Sequence, residues 1–153
     1  MKKLITVRHG AHERGALSDL GRTQIAALVP RIKSALGDCD GSTFAVLSSD
    51  ELRAVQSGEI IAGAFGITNQ LDDIFVCDHY DMFADKLLKD EIVRVIESCG
   101  ADIVIIVTHF EAPSAIIDIF AEKHFNRRVE RFETKHGQAN LLNLETGEMV
   151  FRI

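Results

Sequence analysis

Two apolar runs in this chain end in a histidine, a side chain that can act as a nucleophile or a general base near neutral pH. Residues 4–7 lead into Arg8 and His9, and residues 103–107 lead, after one threonine, into His109. In an open parallel sheet, residues just past the carboxyl ends of the strands share one crevice, although they are far apart in sequence. We therefore expect the two imidazoles to lie together at one edge of a sheet.

A third apolar run, residues 44–47, is followed by a serine pair and then by an arginine. Ser48 or Ser49 is expected to cap a helix, and Arg53 falls on its first turn. A guanidinium donates parallel hydrogen bonds to a phosphate and stays charged at any working pH, and a helix N-terminus also attracts anions. With Arg8 added, the two histidines and two arginines describe a pocket for a phosphoryl group, with Ser48 as a further phosphate ligand.

The other histidines raise the alternative of a metal site. His12 lies three residues after His9, and His79 has carboxylates nearby. This spacing in a loop lacks the i, i+4 geometry that brings two imidazoles to one zinc on a helix, and the sequence fixes no third ligand. We therefore expect neither a metal nor a cofactor. His124 and His136 are expected at the surface, with the rim of the pocket as the alternative.

These side chains must be positioned by strands and helices that alternate along the chain. After strand 4–7, apolar residues at helical spacing predict a first helix facing inward through Leu20, Ile25, Leu28, Ile32 and Leu36. Pro30 is expected to kink or split it. After strand 44–47, the pattern Ser48-x-x-Glu51 fits a capping box. The buried stripe of this second helix is expected at Leu52, Val55, Ile60 and Ala64.

The second half of the chain continues this alternation. A weak apolar stretch at 74–77 precedes a third helix, and the uninterrupted β-branched run 103–107 predicts a strand covered on both faces. A fourth helix follows, with Pro113 in its first turn. Two strand-like segments, 139–144 and 149–153, flank a glycine-containing turn and predict a hairpin. The order predicts an α/β fold with a mainly parallel sheet.

Composition limits the size and the partners of the protein. The 153 residues suit a single domain, residues 1–153, and no apolar run approaches the roughly 20 residues of a membrane span. The net charge of −6 argues against a nucleic-acid partner or an anionic-membrane surface. Arg127, Arg128 and Arg131 form a local basic stretch, expected as a solvated face or loop, with a docking surface for an acidic partner as the alternative.

The cysteines and the N-terminal sequence indicate the cellular compartment of the protein. Three cysteines without a CxxC spacing indicate reduced thiols, and the N-terminal apolar run stops after Val7 at a charged pair, unlike a signal peptide. Secretion is therefore not expected, and we expect a cytoplasmic protein.

Four segments of the chain together resemble the histidine phosphatase superfamily, also called the phosphoglycerate mutase-like family. The family's Arg-His-Gly signature is matched by residues 8–10. Its Leu-Thr-x-x-Gly-x-x-Gln-Ala stretch appears at residues 17–25, and its Ser-x-x-x-Arg-Ala-x-x-Thr-Ala stretch appears at residues 49–58. The family's second histidine matches His109. The short length resembles the compact SixA-type phosphohistidine phosphatases. The resemblance implies a phosphoglycerate mutase-like three-layer α/β/α sandwich with a mainly parallel sheet.

The resemblance also implies an activity, a metal-independent phosphatase with a phosphohistidine intermediate on His9. Arg8 and Arg53 would grip the phosphoryl oxygens, and His109 would complete the cage. The implied partner is a phosphorylated small molecule or a phosphohistidine protein, while oligomeric state is left open. The proton donor to the leaving group is expected at Asp78, with Asp81 and His79 as alternatives.

Two residues depart from the family pattern and keep other functions open. Ala11 replaces the acidic residue that often follows the signature, and Phe110 replaces the small residue after the second histidine. The ring of Phe110 is expected either to wall the pocket or to pack in the core. A non-catalytic phosphate-binding module is the main alternative function. A phosphoglycerate mutase is less favoured, because the chain has little room for extra segments that would cover an intermediate.

Overall fold

The computed structural model describes residues 1–76, 83 and 85–153, which form a six-stranded sheet, a two-stranded sheet and four α-helices. The strands are β1 (Lys3–Arg8), β2 (His12–Glu13), β3 (Ala16–Leu17), β4 (Phe44–Ser48), β5 (Asn69–Leu71), β6 (Ile103–Thr108), β7 (Ala139–Asn143) and β8 (Met149–Phe151). The helices are α1 (Asp19–Leu36), α2 (Leu52–Ala64), α3 (Lys86–Ser98) and α4 (Ala112–Phe125), with a short 3₁₀ turn at Asp73–Phe75.

The main sheet is mostly parallel and has the order β5-β4-β6-β1-β7-β8. Strands β1, β4, β5 and β6 run parallel, whereas β7 pairs antiparallel with β1 and with β8, which confirms the predicted C-terminal hairpin. All six residues of β6 are buried, as its β-branched run predicted. The short β5 and the β2–β3 hairpin were not predicted, because two or three residues carry too little pattern.

Helices cover both faces of the sheet. On one face, alternate residues of the central strands, such as Ile5 and Ile105, pack against α1 and α2. On the other face, their neighbours, such as Leu4 and Ile106, pack against α3 and α4. Successive side chains of a strand point to opposite faces, so a sheet with apolar residues at every position needs two layers of helices. The predicted α/β sandwich with a mainly parallel sheet is confirmed.

Two details of α1 differ from the prediction. The helix runs unbroken through Pro30, so the expected split was wrong. Buried residues on either side of the proline, Ile25 and Leu28 before it and Ile32 after it, hold both halves against the same core. Leu20, expected to face inward, is 62% exposed, because the buried face of α1 begins at Gly21 and Leu20 lies about 100° around the helix from it.

The inward face of α2 was also predicted wrongly. Leu52 is exposed, Val55 and Ile60 are only half-buried, and the buried face is instead Ala54, Ser57, Gly58, Ile61 and Ala62. Small residues face inward because α2 packs closely on its neighbours: a Cβ on Gly58 would lie 2.6 Å from the Asn69 amide. The capping box is absent too, since Glu51 is the N-cap and no side chain caps the helix.

Among the described residues, no helix combines the length and the apolar character that a membrane crossing requires.

Candidate functional site

The side chain of His9 is fixed at the carboxyl end of β1, almost entirely out of solvent. Its backbone amide donates to the Thr108 carbonyl oxygen at 3.1 Å, which continues the β1–β6 ladder by one residue. Its Nδ1 lies 2.7 Å from the Gly10 carbonyl oxygen, and its Nε2 accepts a hydrogen bond from Arg53 Nε at 3.2 Å. A carbonyl oxygen only accepts, so the ring proton belongs on Nδ1. The lone pair of Nε2 therefore faces Arg53.

The surroundings of His9 keep its imidazole neutral. The pKa of His9 is lowered from 6.5 to about 3, chiefly by burial, and the electrostatic influence of His109, Arg53 and His136 acts in the same direction. The hydrogen bond to Gly10 opposes them only in part. A neutral ring at pH 7 has the free electron pair that a nucleophile needs.

His109 lies beside His9, as the two strand ends predicted. The ring centroids are 5.0 Å apart. Arg53 Nη2 donates to His109 Nδ1 at 3.3 Å, and His109 Nε2 lies 2.8 Å from Ser49 Oγ. Because a guanidinium has no acceptor, Nδ1 is the acceptor and Nε2 carries the proton in the neutral ring. The guanidinium of Arg53 thus bridges both histidines, and Glu51 Oε2 accepts from its Nη1 at 3.0 Å.

Arg8 lies on the other side of the site and is engaged elsewhere. Its Nη1 donates to Glu133 Oε1 at 2.8 Å and to the Thr134 carbonyl oxygen at 2.9 Å. Its guanidinium stacks 5.1 Å above the ring of Phe110, which is 39% exposed and therefore not a core residue. Within the described part of the chain, the Arg8 side chain makes no hydrogen bond to the His9 ring, whereas Arg53 does.

Ser48, predicted as a phosphate ligand, falls outside this arrangement. The Ser48 side chain is fully buried and accepts a hydrogen bond from Asn69 Nδ2 at 2.8 Å, whereas the neighbouring Ser49 contacts His109. Asp78, with its alternatives Asp81 and His79, lies outside the described residues.

Two histidines that the phosphate-pocket prediction left out lie next to His9. The ring centroid of His12 is 5.3 Å from that of His9, and the centroid of His136 is 5.2 Å away. His136 also lines a cleft of about 370 Å³ together with Arg8 and Glu133, which agrees with the rim position and not with the open surface. The sequence carried no signal for this contact, since a loop residue has no periodicity that places it.

Close backbone contact explains two glycines of the matched motifs. A Cβ on Gly10 would lie 2.5 Å from the Gly21 carbonyl oxygen, and a Cβ on Gly21 would lie 2.0 Å from the Ala11 carbonyl oxygen. The backbone after His9 therefore rests directly on α1. Gln24 Oε1 accepts from the Ala11 amide at 2.8 Å, and Ser18 Oγ donates to the Ala11 carbonyl oxygen at 3.0 Å. These contacts fix the orientation of the strand end that carries His9.

A buried carboxylate fixes the segment that carries Glu133 and His136. Asp118 of α4 is fully buried, and it accepts from Arg131 at 3.1 Å and 3.2 Å and from Arg128 at 3.2 Å. The side chain of Arg131 is only 12% exposed. Arg131 is therefore a structural anchor, whereas the Arg128 side chain is 62% exposed, as expected for a solvated face.

No family model and no curated protein matches the sequence, whereas solved structures do. A mycobacterial glucosyl-3-phosphoglycerate phosphatase aligns over 100% of this chain and 98% of its own, with a TM-score of 0.61 and 13% identity. A protein assigned as the phosphohistidine phosphatase SixA of Agrobacterium tumefaciens has a TM-score of 0.66 and 12% identity. The alignment covers 99% of this chain and 97% of that protein. A protein assigned as an α-ribazole-5'-phosphate phosphatase of Escherichia coli has a TM-score of 0.66 and 14% identity. The alignment covers 100% of this chain and 96% of that protein.

Identities this low establish a shared fold, and the coverage shows that the likeness extends over the whole chain. The chain therefore has the fold of the histidine phosphatase superfamily, the family that its motifs resemble.

Proposed function

We propose that the protein is a metal-independent phosphatase that forms a phosphohistidine on His9. The observation that carries the proposal is the tautomer of that residue: Nδ1 donates to the Gly10 carbonyl oxygen, so the lone pair of Nε2 faces the guanidinium of Arg53. A neutral nitrogen nucleophile beside a fixed cation is what attack on a phosphoryl group requires.

In the first step, Nε2 of His9 attacks phosphorus, and the N–P bond forms as the bond from phosphorus to the leaving group breaks. The substrate phosphate replaces the lone-pair contact with Arg53, and Arg53 then donates to the phosphoryl oxygens. His109, whose Nδ1 and Nε2 are both in hydrogen-bonding positions, donates to the same oxygens once protonated. These contacts neutralise the charge that spreads over the equatorial oxygens.

In the second step, water attacks the phosphohistidine, the N–P bond breaks, and phosphate and neutral His9 are released. The leaving group of the first step takes a proton unless it departs as a stable anion, and we propose Asp78 as the donor, with Asp81 or His79 as alternatives. An imidazole leaving group needs this donor less, because it departs readily when it is already protonated.

The proposed substrate is a phosphomonoester or a phosphohistidine. The similar structures are named as phosphatases of glucosyl-3-phosphoglycerate, of phosphohistidine and of α-ribazole 5'-phosphate, and one of them is a complex with inorganic phosphate. The cleft of about 370 Å³ beside Arg8 is lined by two further charged side chains, Glu133 and Lys135, and by the polar Gln24 and Gln138. This lining favours a polar leaving group.

Hydrolysis of a chromogenic phosphomonoester tests the proposal. We expect wild-type turnover that EDTA leaves unchanged, and a loss of at least about 1,000-fold in His9→Ala, because the variant lacks the nucleophile. The matched control is His124→Ala, a histidine on α4 that stacks on Phe120. Chelator-sensitive turnover, or an active His9→Ala enzyme, would contradict the mechanism. Rates on a phosphohistidine protein and on a panel of small phosphates then separate the two substrate classes.

A phosphate-binding module without turnover is the second candidate, and two departures from the family pattern favour it. Ala11 stands where the family often has an acidic residue, and the ring of Phe110, 5.1 Å from the Arg8 guanidinium, stands where the family has a small one. A module of this kind binds phosphate or vanadate but forms no acid-labile phosphoprotein with any donor. Trapping of phosphorylated His9 excludes it.

A further inference from the structure

The cluster of three imidazoles has a geometry that phosphoryl transfer does not use. One ring nitrogen each of His9, His12 and His136 lies within 4.8 Å of the other two. The ring centroids of His12 and His136 are 6.0 Å apart. These residues come from the end of β1, from β2 and from the loop before β7, so only the tertiary fold brings them together.

We infer that His9, His12 and His136 bind a divalent transition-metal ion of the Zn²⁺ type, and that this ion blocks the nucleophile. Metal binding itself does not depend on the proposed function, whereas its inhibitory consequence does. Imidazole nitrogen suits Zn²⁺, Cu²⁺ and Ni²⁺, while Mg²⁺ prefers oxygen ligands. Three nitrogen ligands leave a fourth position for water.

The ring nitrogens are available as ligands. His9 presents Nε2, since its Nδ1 is held by the Gly10 carbonyl oxygen. The Nε2 atom of His136 is buried and has no hydrogen-bond partner among the described residues. A buried polar nitrogen without a partner is costly, and a metal ion is one group that satisfies it.

A small movement of the His12 side chain would bring the three ring nitrogens to the spacing that one metal ion requires. Three nitrogens at tetrahedral angles around Zn²⁺, each about 2.1 Å from the ion, lie about 3.4 Å apart. His136 is held in place, because the Gly137 amide donates to the Arg8 and His9 carbonyl oxygens at 3.2 Å and 3.3 Å. His12 is exposed and lies on a two-residue strand, so its side chain can rotate toward the other two.

Nearby charges do not exclude a cation. The guanidinium of Arg8 is paired with Glu133 and that of Arg53 with Glu51, so a carboxylate partly offsets each positive charge beside the cluster. The metal takes the lone pair of His9 Nε2, which now accepts from Arg53 Nε at 3.2 Å. A nitrogen with one lone pair cannot bind a metal and attack phosphorus at once, so metal binding and catalysis exclude each other.

Direct metal binding tests the inference without reference to activity. The tag-free protein is titrated with Co²⁺, followed by the visible absorption of the bound ion, and with Zn²⁺ in competition with a chromogenic chelator. We expect one ion per chain, no competition from Mg²⁺, and affinity reduced in His12→Ala and His136→Ala by at least the roughly 10–100-fold that loss of an outer-shell partner costs a metal site. His124→Ala, outside the cluster, is the control and should bind as wild type.

Several results would overturn the inference: no micromolar binding by the wild type, unchanged affinity in both cluster variants, or an equal loss in the control. The second measurement is phosphatase activity with added Zn²⁺, where we expect inhibition of the wild type that His12→Ala relieves. Activation by Zn²⁺ contradicts the inhibitory role. A protein that binds Co²⁺ through the cluster yet hydrolyses no phosphate contradicts only the proposed phosphatase function, so the two failures are distinguishable.

Discussion

At the scale of single residues, the protonation state of His9 decides what the site can do. Its burial at the strand end removes water from the ring, and the Gly10 carbonyl oxygen selects the tautomer with the lone pair on Nε2. The same burial that prepares the ring for attack also couples the stability of the fold to pH.

We expect His9 to make the protein less stable as the pH falls. The folded-state pKa is lowered from 6.5 to about 3, so between these values the unfolded chain binds the proton and the folded chain does not. The stability that the buried neutral ring of His9 contributes is therefore fully present above pH 6.5 and is lost as the pH falls toward 3. From pH 7 to pH 4.5 this group accounts for a loss of about 2–3 kcal/mol in the free energy of unfolding.

Urea unfolding of the wild type and of His9→Gln at these two pH values measures the effect. The variant has no titrating ring, and the carboxylates that also titrate in this range are common to both proteins. The wild type should therefore lose more stability than the variant on acidification. Equal losses in the two proteins would show that His9 is not buried in its neutral form.

At the scale of elements, the contact between the backbone after β1 and the first turns of α1 positions the nucleophile. Gly10 and Gly21 have no side chains at the point where the two segments meet, and Ser18 and Gln24 hydrogen-bond to the same stretch of backbone. The matched motif at 17–25 is therefore explained by its packing against the backbone of Ala11.

Gly21→Ala is expected to destabilise the protein by about 1–3 kcal/mol, because its Cβ would lie 2.0 Å from the Ala11 carbonyl oxygen and must displace backbone. Gly63→Ala on α2 is the matched control, since a Cβ there meets nothing within 4 Å. The control should gain about 0.5–1 kcal/mol from the better helix former. Thermal and urea unfolding measure both, and a neutral Gly21→Ala would contradict the close contact.

The loop after α4 depends on one buried carboxylate. Asp118→Ala leaves Arg131 without its partner, and we expect a loss of about 3 kcal/mol together with faster amide hydrogen exchange at Thr134 and Gly137. Glu122→Ala removes only an exposed ion pair with Arg128 and should change stability by less than about 1 kcal/mol. If the two substitutions had equal effects, the anchoring role of Asp118 would be wrong.

At the scale of the whole molecule, the central strands support both layers of helices and one edge of the sheet carries the site. Ile105 of β6 is fully buried between two neighbouring strands and the α1 and α2 side of the core. We expect Ile105→Ala to lower the free energy of unfolding by about 2–5 kcal/mol, through lost burial and the cavity that remains.

The comparison is Val150→Ala on the edge strand β8, where the side chain is 38% exposed. This substitution should cost less than about 1 kcal/mol, because its site is open to solvent and leaves no cavity. Similar costs for the two substitutions would contradict the assignment of β6 as the central strand.

The sequence by itself determined the elements whose patterns are long and the residues that follow them. The β-branched run of β6 and the apolar spacing in α1 predicted buried elements, and two strands ending in histidine predicted that His9 and His109 would meet. These predictions succeed because periodicity records which face is buried, and because parallel strands place their carboxyl ends at one edge of a sheet.

Only the tertiary structure decided what surrounds that pair. The approach of His12 and His136 to His9, the pairing of Arg8 with Glu133 and the inward face of small residues on α2 were not readable in the sequence. Loop positions have no periodicity, an arginine side chain can reach several partners, and close packing selects small residues whose apolar signal is weak. Such contacts depend on where separate segments of the chain meet in space.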